Sequence, residues 1–483
     1  MEKTVRKVAF VNGPTEGYRV SRNSRWPERT KSGTLYYPIW LAYATANTKK
    51  AGFEVLLIDA EARGLEVEAV AEKLKDFGPD LIVVDVTTPT FENDMKNVEV
   101  FGKIGAKIVL VGTHVSALPE TAFQSSKNVD FVVRGEYDSI IVNLAKNIRR
   151  PSVVKGVSYK RGKRIIHNKP ADLVEELDRF PWVSPVYKEF LRMNDYSYSL
   201  AQKPMIQIFT SRGCPNMCSF CQYPQVFSGR KFRVRSIKDV VSEIEWINKN
   251  LPEVKEIFIE DDTFTIDRER VREFCQSVMD KKMKITWSVN ARANLDYETM
   301  VLMKKAGCRL LVVGYESGSD KILKGVRKGI TVEMSRRFAK ASRKAGLKVF
   351  GCFMLGLPGE TRETMEQTFR LAKELEPDMV FFQQAVPFPG TEMHQWADAG
   401  GYLKVGGFSE WHNRDGYLEF LLSYPGLDKE EIRRTRGEFM KRYYFRPGFI
   451  VKTLFRNLGS FDEFKRIVRA GWSYVTFLIK EGG

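Results

Sequence analysis

Three of the chain's six cysteines lie within the stretch SRGCPNMCSFCQYP, residues 211–224, and thiols this close together usually bind a metal. Cys214, Cys218 and Cys221 are spaced C-x3-C-x2-C. A structural zinc site needs four protein ligands, but the next cysteine is Cys275 and no histidine lies between residues 167 and 394. Three soft thiolates without a fourth local ligand favour an iron–sulfur cluster with one open iron. A zinc site, or another site without redox chemistry, is the alternative.

The cysteines directly follow the first of six short apolar runs that alternate with helical patterns. Active sites of βα barrels lie at the carboxyl ends of the strands, so the cysteines stand where such a site belongs. Six units are too few for a closed eight-stranded barrel, and we therefore predict a partial, open-sided barrel. The predicted strands are MIQIFT (205–210), EIFIED (256–261), KITWSVN (284–290), RLLVVGYE (309–316), KVFGCFML (348–355) and DMVFFQQA (378–385).

Five further apolar, β-branched runs alternate with helical patterns in the first part of the chain. Runs that are apolar on both faces, with helical crossovers between them, indicate a parallel sheet covered on both sides. We predict a doubly wound, Rossmann-like α/β domain whose ligand lies beyond the carboxyl ends of the strands. No G-x-G-x-x-G follows the first strand, so the ligand is predicted to be something other than NAD. The runs are KVAFV (7–11), EVLLID (54–59), DLIVVDV (80–86), KIVLVG (107–112) and DFVVRG (130–135).

The rest of the chain divides into a connecting region and a basic tail. GVSYKRGKRIIH predicts a hairpin that turns at Arg161–Gly162, and the stretch after it predicts a surface linker. Residues 441–483 carry nine Lys/Arg, three Asp/Glu and ten aromatic residues. This mixture is typical of a helical cap packed on the main domain, or of a surface that contacts lipid headgroups. The predicted regions are 1–148 (doubly wound domain), 149–200 (hairpin and linker), 201–400 (partial barrel) and 401–483 (basic, aromatic, helical C-terminal region).

Composition and charge exclude several classes of protein. The chain is 43% apolar and 28% charged, and no stretch approaches the ~18 apolar residues of a membrane-spanning helix. The N-terminus has no apolar core of signal-peptide length, and clustered rather than framework-like cysteines suit a reducing compartment. We therefore predict a cytoplasmic protein, with peripheral membrane contact through the C-terminal region as an alternative. The formal charge of +17 indicates either a Lys-rich soluble surface or an anionic partner.

The cysteine motif, with aromatic Phe220 before the last cysteine and a strand before the first, resembles the signature of the radical S-adenosylmethionine (SAM) superfamily. By that resemblance, the three cysteines bind a [4Fe–4S] cluster whose open iron chelates the amino and carboxylate groups of SAM. An electron, from a reductant such as flavodoxin or ferredoxin, then cleaves SAM to a 5′-deoxyadenosyl radical. This radical removes a hydrogen atom from unactivated carbon.

The same resemblance implies a set of SAM contacts at the ends of successive strands. A lone carboxylate at a strand end is often only the N-cap of the next helix. Several such motifs in order, each after its own strand, argue for a binding site. The implied contacts are Glu260, Asp261 and Asp262 in IEDDTF, Asn290 and Arg292 in NAR, Glu316 in GYESG, and Gly351 and Gly356 in GCFMLGLPGET.

A doubly wound domain ahead of such a barrel resembles the cobalamin-binding subclass of the superfamily. The strings TPT (88–90), VGTHVSALPE (111–120) and VDFVVRGEYD (129–138) carry this likeness. It implies cobalamin on the strand ends, facing the barrel. The D-x-H-x-x-G string that supplies a lower histidine ligand elsewhere is absent, so cobalt is expected to lack one; His114 is the alternative ligand. The implied cobalamin contacts are Thr88, Thr90, Gly112, His114, Gly135 and Glu136.

Within this subclass the chain resembles the hopanoid-biosynthesis-associated radical SAM proteins and the anaerobic bacteriochlorophyll cyclase group. LYYPIWLAYAT (35–45) and YPGLDKEEI…FMKRYYFRPGFI (424–450) carry the likeness. It implies a hydrophobic or amphiphilic lipid or isoprenoid-type substrate and carbon–carbon bond formation, ring contraction or cyclisation. Methyl transfer from methylcobalamin to unactivated carbon is the alternative reaction.

Two other classes of function fit less of the sequence. Basic radical SAM enzymes modify tRNA, and the charge of this chain would suit that substrate. The methylthiotransferases among them carry three further N-terminal cysteines, whereas no cysteine precedes Cys214. A non-catalytic cobalamin sensor would need no three-thiol motif. We therefore expect a small-molecule substrate and no nucleic acid.

Overall fold

The computed structural model describes residues 5–22, 27–29, 33–198 and 201–451. The basic, aromatic stretch from residue 452 onward, on which the predicted membrane contact partly rests, lies outside the described residues. Among the described residues, no helix is both long enough and apolar enough to cross a membrane.

A seven-stranded sheet occupies the first part of the chain. Its strands are β1 (Lys7–Asn12), β2 (Glu54–Asp59), β3 (Leu81–Asp85), β4 (Lys107–Val111), β5 (Val129–Val133), β6 (Val157–Arg161) and β7 (Arg164–His167). They lie in the order β2-β1-β3-β4-β5-β6-β7, and β1 to β5 are parallel. Every residue of β3, the middle strand of these five, is buried, as a sheet covered on both faces requires. The predicted doubly wound α/β fold is confirmed.

The predicted hairpin forms, but it is an extension of this sheet. β6 pairs antiparallel with β5, and β7 pairs antiparallel with β6. Arg161 still pairs with Arg164, so the turn is Gly162–Lys163 and not the predicted Arg161–Gly162. Gly162 has φ +62°, the left-handed conformation that glycine adopts without strain.

Helices cover both faces of the first sheet. Alternate residues of β1 point to opposite cores, with Val8 and Phe10 in one and Ala9 and Val11 in the other. This alternation follows from the period of two along a strand. The helices are α1 (Ile39–Lys50), α2 (Ala60–Arg63), α3 (Val67–Phe77), α4 (Phe91–Gly102), α5 (Thr113–Ala117), α6 (Pro119–Ser125) and α7 (Tyr137–Lys146).

The second half of the chain forms a six-stranded parallel sheet and a separate two-stranded ribbon. The strands are β8 (Met205–Ile208), β9 (Ser211–Arg212), β10 (Arg233–Val234), β11 (Glu256–Ile259), β12 (Trp287–Ala291), β13 (Cys308–Glu316), β14 (Lys348–Leu355) and β15 (Met379–Gln384). β9 and β10 form the antiparallel ribbon, and the sheet order is β15-β14-β13-β12-β11-β8. The sequence predicted these six strands, and the partial barrel is confirmed.

Helices lie between the strands of the barrel, before its first strand and after its last strand. They are α8 (Ser184–Phe190), α9 (Ile237–Asn250), α10 (Arg268–Asp280), α11 (Tyr297–Lys305), α12 (Asp320–Gly325), α13 (Val332–Lys344), α14 (Arg362–Leu375), α15 (Glu392–Ala399) and α16 (Lys429–Tyr444). Of these, α8 precedes the first strand, and α15 and α16 follow the last strand. Buried Phe439 of α16 packs 5.6 Å from Phe382 of β15, measured between ring centres. Between α15 and α16 the chain is mostly irregular, with a short 3-10 helix at Phe408–Trp411, so in the described part of this region the helical character is confined to α16 and residues 447–451.

The barrel interior contains an apolar cluster that is rich in aromatic side chains. Phe258, Leu310 and Phe350 from three strands pack together there. Tyr198, from the linker before β8, stacks on Phe258 at 5.1 Å, so the linker closes part of the interior. Cys352 and Phe381 are partly buried against the same cluster. The open end of this interior lies at the carboxyl ends of the strands, beside the cysteine loop.

Candidate active site

The cysteine motif lies in the loop of residues 213–232, which connects β9 to β10 and which we call the cysteine loop. Cys214 and Cys218 are buried and Cys221 is partly exposed. The Gln225 side-chain amide donates hydrogen bonds to the backbone oxygens of Cys218, Ser219 and Cys221, at 3.3, 3.1 and 2.8 Å. The Asn216 amide lies 3.2 Å from the Cys214 sulfur, as a donor. The loop is therefore held in shape by its own polar side chains.

The donor set of this loop fits a [4Fe–4S] cluster. Among the described residues, no three His, Cys, Asp or Glu side chains lie close enough together to hold a metal ion. In a cubane cluster each thiolate binds a different iron, so the sulfurs surround the cluster and do not converge on one ion. Three thiols on one loop suit that arrangement, with one iron left for another ligand.

Asp261 and Asp262, which follow β11, hold the base of the cysteine loop. The Asp261 carboxylate accepts hydrogen bonds from the N–H and hydroxyl groups of Thr210 and Ser211, at 2.6 to 3.0 Å. Asp262 accepts from the Gly213 N–H and the Ser228 hydroxyl, both at 3.0 Å. Burial raises the pKa of Asp261, and the bonds from Ser211 and Thr210 oppose this. Both oxygens of Asp261 are thus hydrogen bonded to the start of the loop; a contact of Asp261 with SAM stays a prediction.

Glu260 and Asn290 lie beside this clamp. Glu260, directly after β11, accepts a hydrogen bond from the Gln207 amide at 3.1 Å. Asn290, within β12 rather than after it, donates to the Asp261 backbone oxygen at 3.1 Å. Asn290 is partly exposed and Glu260 is 7% exposed, so both border the open end of the barrel. Their role as SAM contacts stays a prediction.

A buried charged cluster links β12, β13 and the cysteine loop. Lys328 donates to the Glu316 carboxylate at 2.7 Å, and Arg292 donates to the Lys328 backbone oxygen. The Lys328 ammonium lies 6.0 Å from the centre of the Phe220 ring, in the cysteine loop. Burial alone would lower the pKa of Lys328, but Glu316 and Cys218 outweigh it and raise the pKa, so the ammonium stays charged. The sequence predicts Arg292 and Glu316 as site residues but not Lys328, because Lys328 belongs to no recognisable motif.

Glu316 occupies an irregular position at the end of its strand. The pairing of β13 with β14 shifts register between Gly314 and Glu316, and Glu316 has φ +64°. A non-glycine residue in the left-handed region carries local strain, which is often found at functional sites. A Cβ on Gly314 would lie 2.2 Å from Glu316 Oε1, so only glycine allows this carboxylate to fold back toward Lys328.

Gly351 and Gly356, which the resemblance implies as SAM contacts, both lie where a side chain would meet the outer layer of the barrel; backbone contact with SAM at these two positions stays a prediction. A Cβ on Gly351 would lie 3.0 Å from Pro377 and 3.3 Å from the Tyr315 ring, in the layer outside the barrel. Gly356 has φ +85°, and a Cβ there would lie 2.8 Å from Ile432 of α16. Both glycines therefore permit close packing of β14 and its end against the outer layer. The sequence motif does not show whether a glycine of the strand faces the barrel interior or the outer layer.

In the first domain, the loops after β3 and β4 hold the buried histidine. His114 is hydrogen bonded at both ring nitrogens, 3.1 Å from the Thr88 hydroxyl and 3.2 Å from the Thr121 hydroxyl. Its ring lies 4.2 Å from Phe91 and 4.7 Å from Phe408. Burial lowers the pKa of His114 to about 3. The imidazole is thus neutral and hydrogen bonded at both ring nitrogens, which argues against His114 as the axial ligand; that role stays a prediction.

Thr90 and Glu136 are also engaged within the protein. Thr90 accepts a hydrogen bond from Arg22 at 2.9 Å and donates to Asp94 at 2.7 Å. Glu136 forms an ion pair with Arg233 from the far side of the cysteine loop, at 2.5 Å. Thr90 thus belongs to a buried network and Glu136 to a bridge between the domains; contact of either with cobalamin stays a prediction. The sequence separation of Glu136 and Arg233 left no signal of this contact.

The residues that border the strand ends fit a corrinoid bound without a histidine ligand. Small residues lie at the ends of β4 and β5: Gly112 is buried with φ +108°, Ser116 of α5 is partly exposed, and the Gly135 N–H donates to the Ser116 hydroxyl at 2.9 Å. The loop after β5 faces the cysteine loop, because a Cβ on Gly135 would lie 3.6 Å from the Phe227 backbone oxygen. The Ser116 hydroxyl also donates to the Gly112 backbone oxygen at 2.7 Å, so these small residues form a compact hydrogen-bonded surface without a side chain that would obstruct a corrinoid.

Comparison with known proteins matches both halves of the chain. The family model for the radical SAM superfamily matches residues 208–372, and the model for the B12 binding domain matches residues 28–145. An uncharacterized methyltransferase of Pyrococcus horikoshii is 29% identical, with the alignment covering 90% of this chain and 94% of the relative. The anaerobic magnesium-protoporphyrin IX monomethyl ester cyclase of Rubrivivax gelatinosus is 26% identical, covering 86% of this chain and 74% of the cyclase. The predicted likeness to the cyclase group is confirmed.

A solved structure extends the likeness in fold over both domains. The radical SAM methyltransferase TsrM from Kitasatospora setae, solved with cobalamin and a [4Fe–4S] cluster bound, superposes with a TM-score of 0.69. It is 18% identical, and the superposition covers 92% of this chain and 90% of TsrM.

Proposed function

We propose that this chain, a cobalamin-dependent radical SAM enzyme with a [4Fe–4S] cluster, SAM and cobalamin as cofactors, is a methyltransferase that acts on an unactivated carbon. The contact between the two strand-end faces carries the proposal. A methyl donor on the first sheet and a radical generator in the barrel must both reach one substrate carbon. The two faces meet at the cysteine loop: a Cβ on Gly135, after β5, would lie 3.6 Å from the Phe227 backbone oxygen, and a Cβ on Gly390, after β15, would lie 2.7 Å from Val226 and 3.0 Å from Ala117 of α5.

The near-full-length relatives support methyl transfer. The Pyrococcus protein and TsrM are both described as methyltransferases, and each aligns with about nine-tenths of this chain. When bound, the cluster and SAM supply a 5′-deoxyadenosyl radical, and cobalamin carries the methyl group. In this proposal Cys214, Cys218 and Cys221 bind the cluster. Lys328 and Arg292 supply positive charge beside it, where the SAM carboxylate would lie.

The barrel interior supports an apolar substrate. The side chains that line it include Phe258, Phe350 and Phe381, with Tyr36 and Tyr198 from the segments that close its lower end. An apolar, aromatic wall excludes water from a carbon radical and matches a hydrophobic carbon skeleton. A lipid or isoprenoid-type substrate would fit this wall, as would any molecule with a large apolar face.

A second candidate is ring formation or carbon–carbon bond remodelling without methyl transfer. The alignment with the Rubrivivax cyclase, over 86% of this chain, favours it. The two reactions use SAM differently. Methyl transfer consumes one SAM as methyl donor, which leaves S-adenosylhomocysteine, and another as radical source, which leaves 5′-deoxyadenosine and methionine. Ring formation leaves only the second pair of products.

This difference gives the test. The anaerobically reconstituted enzyme, loaded with hydroxocobalamin, is incubated with a reductant, deuteromethyl-SAM and a small-molecule extract of the source cells. We expect matched formation of S-adenosylhomocysteine and 5′-deoxyadenosine, and a deuteromethyl-labelled product by mass spectrometry. Formation of 5′-deoxyadenosine and an unlabelled product, without S-adenosylhomocysteine, would establish the second candidate instead.

The cysteine loop itself is tested by substitution. Replacing any one of Cys214, Cys218 or Cys221 with Ala should abolish SAM cleavage and lower the iron content, because the cluster loses one of three protein ligands. Cys275→Ala is the matched control, since Cys275 is a buried thiol of α10 and lies outside the cysteine loop. It should retain iron and 5′-deoxyadenosine formation. Iron retention and SAM cleavage in Cys218→Ala would contradict the assignment.

A further inference from the structure

We propose that four buried charged residues, Glu136, Asp138, Arg212 and Arg233, couple corrinoid binding on the first domain to the position of the cysteine loop. We call these four the bridge. Glu136 and Asp138 belong to the first domain, at the start of α7. Arg212 and Arg233 lie at the two ends of the cysteine loop. The bridge is thus a positioning device between the two cofactor sites.

The two arginines define the base of the cysteine loop. Arg212 of β9 pairs directly with Arg233 of β10 in the antiparallel ribbon. All three cysteines lie between them, and Cys214 follows Arg212 by two positions. A movement of this pair therefore moves the loop that carries the cluster ligands.

Each arginine is fixed to a carboxylate of the first domain. Arg233 donates two N–H groups to the two oxygens of Glu136, at 2.9 and 2.5 Å. Arg212 donates to Asp138 at 2.7 Å and lies 3.5 Å from Glu136. A charged pair of this kind is strongly directional, because the planar guanidinium matches the carboxylate in only a few orientations.

Because the bridge is buried, its ion pairs tolerate little change in the relative position of their partners. Its four side chains are at most 6% exposed. Arg212 is also enclosed by aromatic rings, 4.5 Å from the centre of Trp40 and 4.6 Å from Phe180. A buried ion pair adds little net stability over a well-packed apolar contact, but breaking it leaves an unpaired charge. The bridge therefore fixes the position of the cysteine loop relative to the first domain more than it stabilises the fold.

The first-domain end of the bridge is continuous with the loops at the strand ends. Glu136 follows Gly135, whose N–H is bonded to Ser116 in the loop after β4. Between the two bridge carboxylates, the Tyr137 hydroxyl donates to Asp85 at the end of β3, at 2.9 Å. A ligand that orders these loops also fixes Glu136 and Asp138. Because coupling between sites is reciprocal, ordering of the cysteine loop must then favour corrinoid binding equally.

Hydrogen–deuterium exchange on the cluster-reconstituted protein tests the coupling, with hydroxocobalamin as the probe. In the wild type, adding hydroxocobalamin should slow deuterium uptake severalfold in peptides covering residues 213–232. In Glu136→Gln, hydroxocobalamin should still be retained through gel filtration, but the cysteine-loop peptides should not respond. The reduced cluster's EPR spectrum with SAM should likewise change on corrinoid addition in the wild type and not in the variant.

Glu243→Gln is the matched control. Glu243 forms a buried 2.5 Å ion pair with Arg235, two residues from Arg233, but this pair lies entirely on the barrel side. Its variant should respond to hydroxocobalamin as the wild type does. Arg233→Lys keeps the charge of the bridge but not the two-bond geometry, and should respond weakly.

Several outcomes overturn the inference. A full cysteine-loop response to hydroxocobalamin in both Glu136→Gln and Arg233→Lys would show that the bridge does not couple the two sites. Loss of corrinoid retention in a folded Glu136→Gln variant would show instead that Glu136 contacts the corrinoid directly. Loss of the response in Glu243→Gln would show that any nearby buried charge has the same effect. Failure of the wild type to retain hydroxocobalamin would instead count against the proposed function, whereas retention without a loop response counts only against the bridge.

Discussion

At the scale of single residues, Asp261 illustrates how a carboxylate at a strand end can serve a site without touching its ligand. The side chain is fully buried, an environment that disfavours a charge. Four hydrogen bonds from Thr210 and Ser211 compensate, and they fix the two residues that begin the turn into the cysteine loop. Asp261 therefore supports the cluster ligands from behind.

This role predicts different effects for two substitutions of Asp261. Asp261→Ala leaves two N–H and two hydroxyl groups without an acceptor, and should lower the free energy of unfolding by about 3 kcal/mol. Asp261→Asn keeps one acceptor oxygen, and its amide can donate to the Thr210 and Ser211 hydroxyls, so the loss should be less than half as large. Urea denaturation of the anaerobic protein measures both. If Asp261 contacted SAM instead, Asn would weaken SAM binding and both variants would leave stability nearly unchanged.

At the scale of elements, the β9–β10 ribbon is the feature that closes the cysteine loop. Gly213, between Arg212 and Cys214, has φ +82°, and a Cβ there would lie 2.2 Å from the Lys231 backbone oxygen. No side-chain rotation relieves a contact with backbone. The close approach of the two ends of the loop therefore requires glycine at this position.

Gly213→Ala should consequently disrupt the cluster site and spare the rest of the fold. We expect the iron content after reconstitution to fall severalfold, while hydroxocobalamin retention by the first domain falls less. Gly162→Ala is the control: Gly162 has a similar φ of +62°, but a Cβ there meets nothing within 4 Å. Equal iron content in the two variants would mean that the ribbon does not shape the cluster site.

The elements themselves were largely predictable from the sequence, and the contacts between them were not. β3 and β14 are mostly apolar, and a short, mostly apolar run can be recognised in the sequence as a buried strand of a parallel sheet. The three cysteines could be predicted as cluster ligands because their C-x3-C-x2-C spacing is characteristic. The contact of Gly356 with α16 and the ion pair of Glu136 with Arg233 were not predictable, because these partners lie far along the chain, on elements whose packing determines which face each residue meets.

At the scale of the whole molecule, the first sheet ends in a layer of buried acids that faces the second half of the chain. Asp59 and Asp85 are the last residues of β2 and β3, and Glu61 follows closely after β2. Asp59 accepts a hydrogen bond from Tyr196, in the linker to the barrel, at 2.8 Å. Burial raises the pKa of both Glu61 and Asp85 to about 7, against the opposing effects of Arg22 on Glu61 and of Tyr137 on Asp85.

A raised pKa at this junction makes the stability of the assembled molecule depend on pH. The pKa of Asp85 is about 7 in the folded state, whereas the same carboxyl has its ordinary pKa of 3.8 in the unfolded chain. Between pH 6 and pH 8 the folded state thus binds more protons at this site, so its contribution to stability falls as pH rises. For a folded pKa of about 7, the change over this window is about 1 kcal/mol.

The Asp85→Asn variant isolates this contribution, because Asn is neutral throughout the window and still accepts the Tyr137 hydrogen bond. Its stability relative to the wild type should rise by about 1 kcal/mol from pH 6 to pH 8, measured by urea denaturation at both values. His114 and His412, whose pKa values burial lowers to about 3 and about 4, gain protons on unfolding in both proteins and cancel in the comparison. Asp76→Asn, on the exposed side of α3, should show no such change. A pH-independent difference for Asp85→Asn would mean that water or a neighbouring cation solvates this carboxylate, and that the strand ends are less tightly closed over the acids than the packing indicates.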